Sequence, residues 1–218
     1  MHPVSPLPDD RGPSTVRFVS GDVPRIRCVG EVVRVGTVDI PSLPARLTAD
    51  WQREVASVLA LEPGDVEPLP LPRARLRWPD YRRCVEAMAD WTRALGLSDV
   101  LASSEVALMA CRGAAYHHDA EHYGGMAFCN LFLSDDQGLD LHFPRAGLRI
   151  PLTRGTAVVF DTGQPHAVFR RDRGSFDPAD FSDGADGTVA FLSWELPIED
   201  ADVARVLGVV VEDATPRA

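Results

Sequence analysis

The chain has 218 residues, of which 45% are hydrophobic, and its formal net charge at pH 7 is −10. This length allows one substantial core. The acidic balance disfavours nucleic acid as a partner, because phosphate binding needs a concentrated basic face. No apolar run approaches the roughly 20 residues that would cross a bilayer, so we expect a cytoplasmic protein with no membrane partner. All 22 basic residues are arginine, so a cation in any site must be Arg or protonated His.

The first half of the chain mixes short strands with two predicted helices. Residues 1–15 are acidic and Pro-rich with no apolar segment, which predicts a disordered tail and neither a signal nor a transit peptide. Residues 16–40 are rich in β-branched side chains and broken by Gly and Pro, which predicts two or three strands. Helical spacing of apolar residues predicts helices at 44–61 and 79–97, and the turn-rich residues 62–72 predict a connector between them.

From residue 100 onward the pattern is that of an all-β domain. About seven short strands alternate with turn signals up to residue 196, which is typical of a sandwich, barrel or jelly roll. We therefore expect residues 16–99 to pack on a catalytic core at 100–196, followed by a C-terminal extension at 197–218. Residues 171–187 form a long acidic loop rich in Gly, and loops of that length are often functional lids.

A histidine and an aspartate end one predicted strand in the arrangement of metal ligands. Alternate residues of an extended segment point to one face, so His117 and Asp119 project together and His118 points away. A third ligand, His166, follows the predicted strand TAVVF, 166 − 117 = 49 residues later. Two imidazoles and one carboxylate on one face form the triad of non-haem iron(II) oxygenases and leave three positions open.

The cysteines do not suggest another kind of metal site. Cys28, Cys84, Cys111 and Cys129 form no CxxC pair, which disfavours zinc fingers, iron–sulfur clusters and a disulfide framework. We expect reduced thiols in a cytosolic protein. With no thiolate among the ligands, the triad favours iron.

The motifs around the triad resemble those of the iron(II)/2-oxoglutarate dioxygenases, nearest the prolyl-4-hydroxylase-like branch. That branch reads H-x-D, then Y-L-S/N-D, G-G-E-x-x-F-P, P-x-x-G-x-A-x-x-F and the distal His. Between its own H-x-D and His166 this chain has LFLSD at 131–135, GLDLHFP at 138–144 and PLTRGTAVVF at 151–160. The resemblance covers about residues 100–196, in the same order and spacing.

The resemblance implies a mainly β fold with flanking helices, in which a double-stranded β-helix (jelly roll) core is preceded by two α-helices. It implies Fe(II) bound by the triad, with 2-oxoglutarate and O₂ as cosubstrates, and hydroxylation of a C–H bond in a small molecule or amino-acid-like substrate. Halogenating relatives replace the carboxylate ligand with a small residue. Because Asp119 is present, hydroxylation, desaturation or demethylation is favoured over halogenation. The oligomeric state is not indicated.

One departure from the family pattern concerns the far carboxylate of 2-oxoglutarate. The family places Arg or Lys about ten residues after the distal His, where this chain has Phe176. Arg170 is our first candidate for that role, because residues 166, 168 and 170 share one face of a strand. Arg149 is the second. The planar guanidinium suits a carboxylate because it can donate two parallel hydrogen bonds.

Two further residues are candidates for hydrogen bonds to the cosubstrate or substrate, namely Asn130 and Tyr116. The missing cation keeps a rival function open, a cupin-type metal enzyme that does not use 2-oxoglutarate. A second rival is a non-catalytic binding or sensing domain on the same jelly roll, against which the intact triad argues.

Overall fold

The structure is a computed structural model that describes residues 14–181 and 187–214. The tail predicted at residues 1–15 lies outside these ranges except for its last two residues, and so does part of the long loop. The described residues form a mainly β protein with flanking helices, as the sequence predicts.

Strands and helices follow one another along the described residues with short connections. The strands are β1 (Thr15–Ser20), β2 (Val23–Cys28), β3 (Arg34–Thr37), β4 (Val66–Leu69), β5 (Val106–Cys111), β6 (Ala114–His117), β7 (Met126–Phe132), β8 (Leu139–Phe143), β9 (Leu148–Pro151), β10 (Thr156–Asp161), β11 (His166–Arg170), β12 (Val189–Pro197) and β13 (Val211–Asp213). The α-helices are α1 (Ala45–Arg53), α2 (Leu71–Arg75), α3 (Tyr81–Ala94), α4 (Ala120–Tyr123) and α5 (Ala201–Leu207).

The strands form three antiparallel sheets. The large sheet has the order β3-β10-β7-β12-β5-β4, the small sheet β6-β11-β8-β9, and the third sheet β1-β2-β13. One hydrophobic cluster takes Phe132 and Phe160 from the large sheet and Leu141 and Phe143 from the small sheet. The inner faces of these two sheets therefore pack against each other, as in a β-sandwich.

Strand β10 shows why the centre of the large sheet is apolar throughout. All of its residues are buried. Val158 and Phe160 face the small sheet, whereas Ala157 and Val159 belong to a second cluster that includes Trp51 of α1 and other helical side chains. Because successive side chains alternate between faces, a strand covered on both sides reads as a continuous apolar run.

The structure differs from the sequence prediction between the two predicted helices. The predicted connector at residues 62–72 contains β4, which pairs with β5 at the edge of the large sheet, and the start of α2. Pro68 is tolerated there because an edge strand has one side free of ladder hydrogen bonds. Helix α1 ends earlier than the predicted range 44–61, since the π-helical segment Glu54–Leu59 follows it.

Other features bear on the remaining predictions. The four cysteines form no disulfide in the described residues. No helix among those residues is long and apolar enough to span a membrane. Location in the cytoplasm stays a prediction.

Candidate metal centre and cavity

The antiparallel pairing of β6 and β11 brings the three predicted ligands together. His166, the first residue of β11, pairs with His117, the last residue of β6. The carboxylate of Asp119 lies 3.7 Å from His117 Nε2 and 3.5 Å from His166 Nε2. One ligand atom from each side chain falls within 4.8 Å of the other two, so one ion can contact all three.

Both imidazoles are held so that the same nitrogen faces the centre. His117 Nδ1 lies 2.7 Å from the carbonyl of Ala115, and His166 Nδ1 lies 3.0 Å from the carbonyl of Gln164. A carbonyl can only accept, so each Nδ1 carries a proton and Nε2 is the nitrogen left to bind a metal. Burial, together with the nearby His117, lowers the pKa of His166 to about 4. Two imidazole nitrogens and one carboxylate fit a divalent metal such as Fe(II).

The backbone beside Asp119 is fixed by the turn that follows β10. The Asp119 amide donates to the carbonyl of Thr162 at 2.8 Å. Thr162 Oγ1 lies 2.9 Å from the carbonyl of Tyr123 and 2.8 Å from that of Met126. The carboxylate ligand is therefore attached to the same turn that leads into His166.

A buried ion pair supports this turn from the third sheet. Arg27 of β2 and Asp161 of β10 have fully buried side chains, and Arg27 Nη1 lies 2.5 Å from Asp161 Oδ2. Arg27 Nε also donates to the carbonyl of Gly124 at 2.6 Å. Asp161 accepts from the amides of Gly30 and Gly163, each at 2.7 Å. Both charges are thus hydrogen-bonded as well as paired, as buried charges require.

A cavity of about 440 Å³ opens beside the triad, between the two sheets. Its walls are mostly apolar, with the polar side chains of Asn130 and Ser193 and the carboxylates of Glu105 and Glu195 among them. The other lining residues are Val66, Pro68, Val106, Ala107, Met109, Cys111, Ala114, His117, Asp119, Tyr123, Phe128, Phe132, Leu141, Phe160, His166, Val168 and Phe191. No arginine of the described residues lines it.

Comparison with known proteins gives matches among solved structures. A scan against protein-family models and a search of curated proteins find no match. A prolyl-4-hydroxylase from Pseudomonas putida is 17% identical with a TM-score of 0.41, over 76% of this chain and 92% of that chain. The viral collagen prolyl hydroxylase of Paramecium Bursaria Chlorella virus-1, in a 2-oxoglutarate complex, is 11% identical with a TM-score of 0.42, over 75% of this chain and 94% of that chain. EvdO2 from Micromonospora carbonacea var. aurantiaca, complexed with 2-oxoglutarate, is 11% identical with a TM-score of 0.43, over 93% of this chain and 96% of that chain.

Prolyl hydroxylases, the branch that the motifs of this chain resemble, are among these solved structures. With identities of 17% and below and TM-scores of 0.43 and below, these matches carry no argument by themselves, so the function must follow from this chain's own residues.

Arg170 does not reach the cavity. Strand parity places it on the face of His166 and Val168, but its guanidinium forms hydrogen bonds with backbone carbonyls outside the cavity. Nε and Nη2 donate to the carbonyl of Asp180 at 3.3 and 3.2 Å, and Nη1 donates to that of Gln137 at 3.2 Å. The group also lies 5.5 Å from the ring centroid of Phe181. This placement does not favour the expected contact with 2-oxoglutarate.

The side chains of Arg149 and Tyr116 lie on the outer face of the small sheet. Arg149 Nε donates to Asp140 Oδ2 at 2.8 Å, and its guanidinium lies over the ring of Phe169. The Tyr116 hydroxyl hydrogen-bonds His142 Nδ1. Neither residue lines the cavity, because each strand alternates its side chains and these two fall on the outward parity.

Of the four predicted cosubstrate contacts, Asn130 is the one that lines the cavity. The sequence prediction missed Ser193 and Glu195, which share the inner face of β12 with Phe191. The signal was present, because period-two alternation along VAFLSWELP puts these residues on one face. That strand carries no cationic side chain.

The long loop at residues 171–187 lies away from the triad where the structure describes it. Strand β11 begins at the triad and ends at Arg170, so the loop starts at the opposite end of the strand. A Cβ on Gly113, next to the start of β6, would come within 2.7 Å of Phe176 and 2.6 Å of Phe181. Arg112 donates to the carbonyl of Phe181. The described part of the loop therefore closes the far end of the sheets, and the predicted lid over the site is wrong for these residues.

These contacts give Arg170 a structural role that can be tested. Arg170→Ala removes hydrogen bonds to two carbonyls and the contact with Phe181, so we expect a lower melting temperature. The KM for 2-oxoglutarate should stay within about threefold of wild type, because the residue does not line the cavity. Thermal unfolding and steady-state kinetics measure the two effects. A KM raised a hundredfold would restore Arg170 as the residue that holds the cosubstrate.

Proposed function

We propose that this protein is a mononuclear non-haem Fe(II) oxygenase that uses 2-oxoglutarate and hydroxylates a C–H bond of a small molecule or amino-acid-like substrate. The observation that carries the proposal is the convergence of His117, Asp119 and His166 within 4.8 Å at a cavity between two sheets. Bound Fe(II) would supply the centre at which O₂ is activated. His117, Asp119 and His166 would hold the ion, and a set of three protein ligands would leave it able to bind cosubstrates.

The strand order supports the proposal of a double-stranded β-helix core. Along the chain, β5, β7, β10 and β12 belong to the large sheet, whereas β6, β8, β9 and β11 belong to the small sheet. The chain therefore winds back and forth between two facing antiparallel sheets. We propose residues 100–196 as the catalytic core, with residues 16–99 packed on it and 197–218 as an extension.

The polar groups of the cavity suggest how 2-oxoglutarate would be oriented. Asn130 of β7 and Ser193 of β12 lie opposite each other in the large sheet, and both line the cavity. The amide and hydroxyl groups can donate hydrogen bonds to the far carboxylate. The rings of Phe128 and Phe160, 5.9 Å apart, form an apolar part of the cavity wall on the side of the triad.

A second candidate function follows from the lack of a cation. The lining residues include no arginine, so a dicarboxylate in this cavity would gain no ion pair. This observation favours a metal-dependent enzyme of cupin type that does not use 2-oxoglutarate. The triad serves both candidates equally, so cosubstrate consumption has to separate them.

We expect the chain loaded with Fe(II) to release succinate from 2-oxoglutarate in the presence of O₂, slowly even without its substrate. Ser193→Ala should raise the apparent KM for 2-oxoglutarate by about tenfold, since a hydrogen bond to a carboxylate contributes roughly 1.5–3 kcal/mol. Iron binding should stay unchanged. Chromatographic detection of succinate and a 2-oxoglutarate titration give both results.

The matched control is Ser57→Ala, because Ser57 is exposed and bonds only the carbonyl of Arg53 in the described structure. Its KM should equal that of wild type. Absence of succinate from an iron-loaded wild-type chain would refute the use of 2-oxoglutarate and leave the cupin-type enzyme. Succinate release with no effect of Ser193→Ala would refute the role of Ser193 alone.

A further inference from the structure

Two carboxylates face each other on the wall of the cavity. Trp194 of β12 pairs with Val106 of β5 in the antiparallel ladder, and continuing this register by one residue sets Glu195 opposite Glu105. Side chains in such positions lie close together, and like charges there repel each other. Burial raises the pKa of Glu195, and the charge of Glu105 raises it further. Both residues line the cavity.

Neither carboxylate pairs with a cation among the residues that the structure describes. No ion pair within the described residues involves Glu105 or Glu195, although exposed arginines pair with acidic residues at many places on the surface. With Asp119, three carboxylates and no guanidinium of the described residues line this cavity. Glu105 is exposed and Glu195 is partly buried, and a positive charge between the two carboxylates would relieve their repulsion.

An independent observation at Asn130 also points to a ligand that donates hydrogen bonds. Asn130 is only 6% exposed, and its Oδ1 has no hydrogen-bond partner in the described structure. It lines the same cavity. On the inner face of β7 it follows Phe128, which pairs with Glu195. A buried carbonyl oxygen without a donor costs free energy that a donor ligand recovers.

The carboxylate pair lies toward the triad end of the cavity. Phe128, opposite Glu195, contacts Phe160, whose ring centroid is 5.0 Å from that of His166. A ligand held at Glu195 could therefore extend past Phe128 and Phe160 toward the three metal ligands. Glu195 and Glu105 lie on the β5 side of the cavity and the triad on the small sheet, so charge recognition and chemistry occupy different walls.

We propose that this cavity binds the positively charged amine or guanidinium of its ligand, with Glu195 and Glu105 facing the charge and Asn130 Oδ1 accepting a hydrogen bond. As a statement about the substrate class the proposal rests on the proposed function, whereas the binding site itself does not. The substrate class is a cationic small molecule, such as a basic amino acid or a polyamine.

The test compares probes of one shape and different charge on the full chain. Titration with n-hexylamine, n-hexanol and hexanoate, in separate calorimetric experiments with Mn(II) in the metal site, gives the three Kd values. We expect the ammonium probe to bind at least about tenfold more tightly than the alcohol, because hydrogen bonds to charged groups are the stronger ones. Equal binding of the amine and the alcohol would show an apolar cavity only and overturn the proposal, and so would tighter binding of hexanoate.

Isosteric variants test whether Glu195 and Glu105 cause the preference for the amine probe. Glu195→Gln combined with Glu105→Gln should abolish the preference for the amine, whereas Glu212→Gln, on exposed β13, should keep it. Because the double variant removes a repulsion, its melting temperature should equal or exceed that of wild type. A double variant that keeps the preference would overturn the proposed location. A fall in melting temperature would assign the carboxylates a structural role and equally refute the proposal.

The outcomes separate this proposal from the oxygenase proposal. Probe binding needs neither 2-oxoglutarate nor turnover, and it can be repeated without Mn(II). A chain that prefers the amine but releases no succinate keeps the cationic site and loses the oxygenase. A chain that releases succinate but shows no preference keeps the oxygenase and loses the cationic site.

Discussion

Replacing His166 with alanine is expected to weaken Fe(II) binding by more than a hundredfold. The Nε2 atoms of His117 and His166 and the carboxylate of Asp119 form one cluster, so each loss leaves two ligands where three are needed. Changes in groups that merely support a ligand cost about 10- to 100-fold in affinity, and loss of the ligand itself should exceed that range. Anaerobic titration with Fe(II), followed by metal analysis, measures the effect, and His117→Ala and Asp119→Ala should behave alike.

The neighbouring histidines provide matched controls for this experiment. His118 adjoins two of the ligands in sequence, and His122 is exposed on α4, yet neither belongs to the cluster. His118→Ala and His122→Ala should therefore bind iron as wild type does. An equal loss in His118→Ala, or full iron binding by His166→Ala, would show that the triad is assigned incorrectly.

Arg27→Ala is expected to be the most destabilising change outside the metal ligands. It leaves Asp161 buried and charged without its partner, which costs about 3–5 kcal/mol. For a chain of this size the melting temperature should fall by roughly 6–20 °C. Asp161 precedes Thr162, whose carbonyl holds the amide of Asp119, so we also expect weaker iron binding by the fraction that remains folded. Calorimetric unfolding and Fe(II) titration measure the two effects.

Two further variants separate the buried charge from a general effect of losing an arginine. Arg82 pairs with Glu86 on the exposed face of α3, so Arg82→Ala should change the melting temperature little. In Arg27→Met with Asp161→Asn, no unpaired charge remains. The amides of Gly30 and Gly163 donate to different oxygens of Asp161, so the single oxygen of asparagine keeps one of these bonds, and part of the stability should return. If the single and double variants unfold at the same temperature, the ion pair is not the cause.

The sequence predicts the triad because the rule behind it is local. Alternation along a strand predicts His117 and Asp119 on one face. In the structure β6 ends at His117 and Asp119 is the residue that precedes α4, yet the two side chains still converge because they are only two positions apart. The strand that precedes His166 is readable from its β-branched run. The same rule correctly put Arg170 on the face of His166. It could not show how deep that side chain lies, or that the carbonyls of Asp180 and Gln137 would bind it, because those contacts depend on how a long loop packs.

Other parts of the structure have weak or non-local signals in the sequence. The prolines in and around β4 make it hard to recognise as a strand in the sequence. They are compatible with its pairing to β5 because an edge strand forms ladder hydrogen bonds on one side only. The ion pair between Arg27 and Asp161 joins residues 134 positions apart, and nothing in the neighbourhood of either residue marks it. The inward positions of β12 were readable, but Ser193 and Glu195 become meaningful only once a cavity is seen beside them.

The contact between Arg27 and Asp161 joins residues far apart in the sequence, and this has a consequence for the order of events during folding. The turn beside Asp119 is completed by a contact that closes 134 residues of chain, and β2 also pairs with β13 near the other end of the described residues. Contacts of such high sequence separation form slowly, because loop closure must precede them. We therefore expect tight iron capture to follow rather than guide tertiary assembly, unlike zinc fingers, in which the metal drives folding. Iron uptake in a refolding experiment would then report the last step, after the β-sheet signal has already recovered.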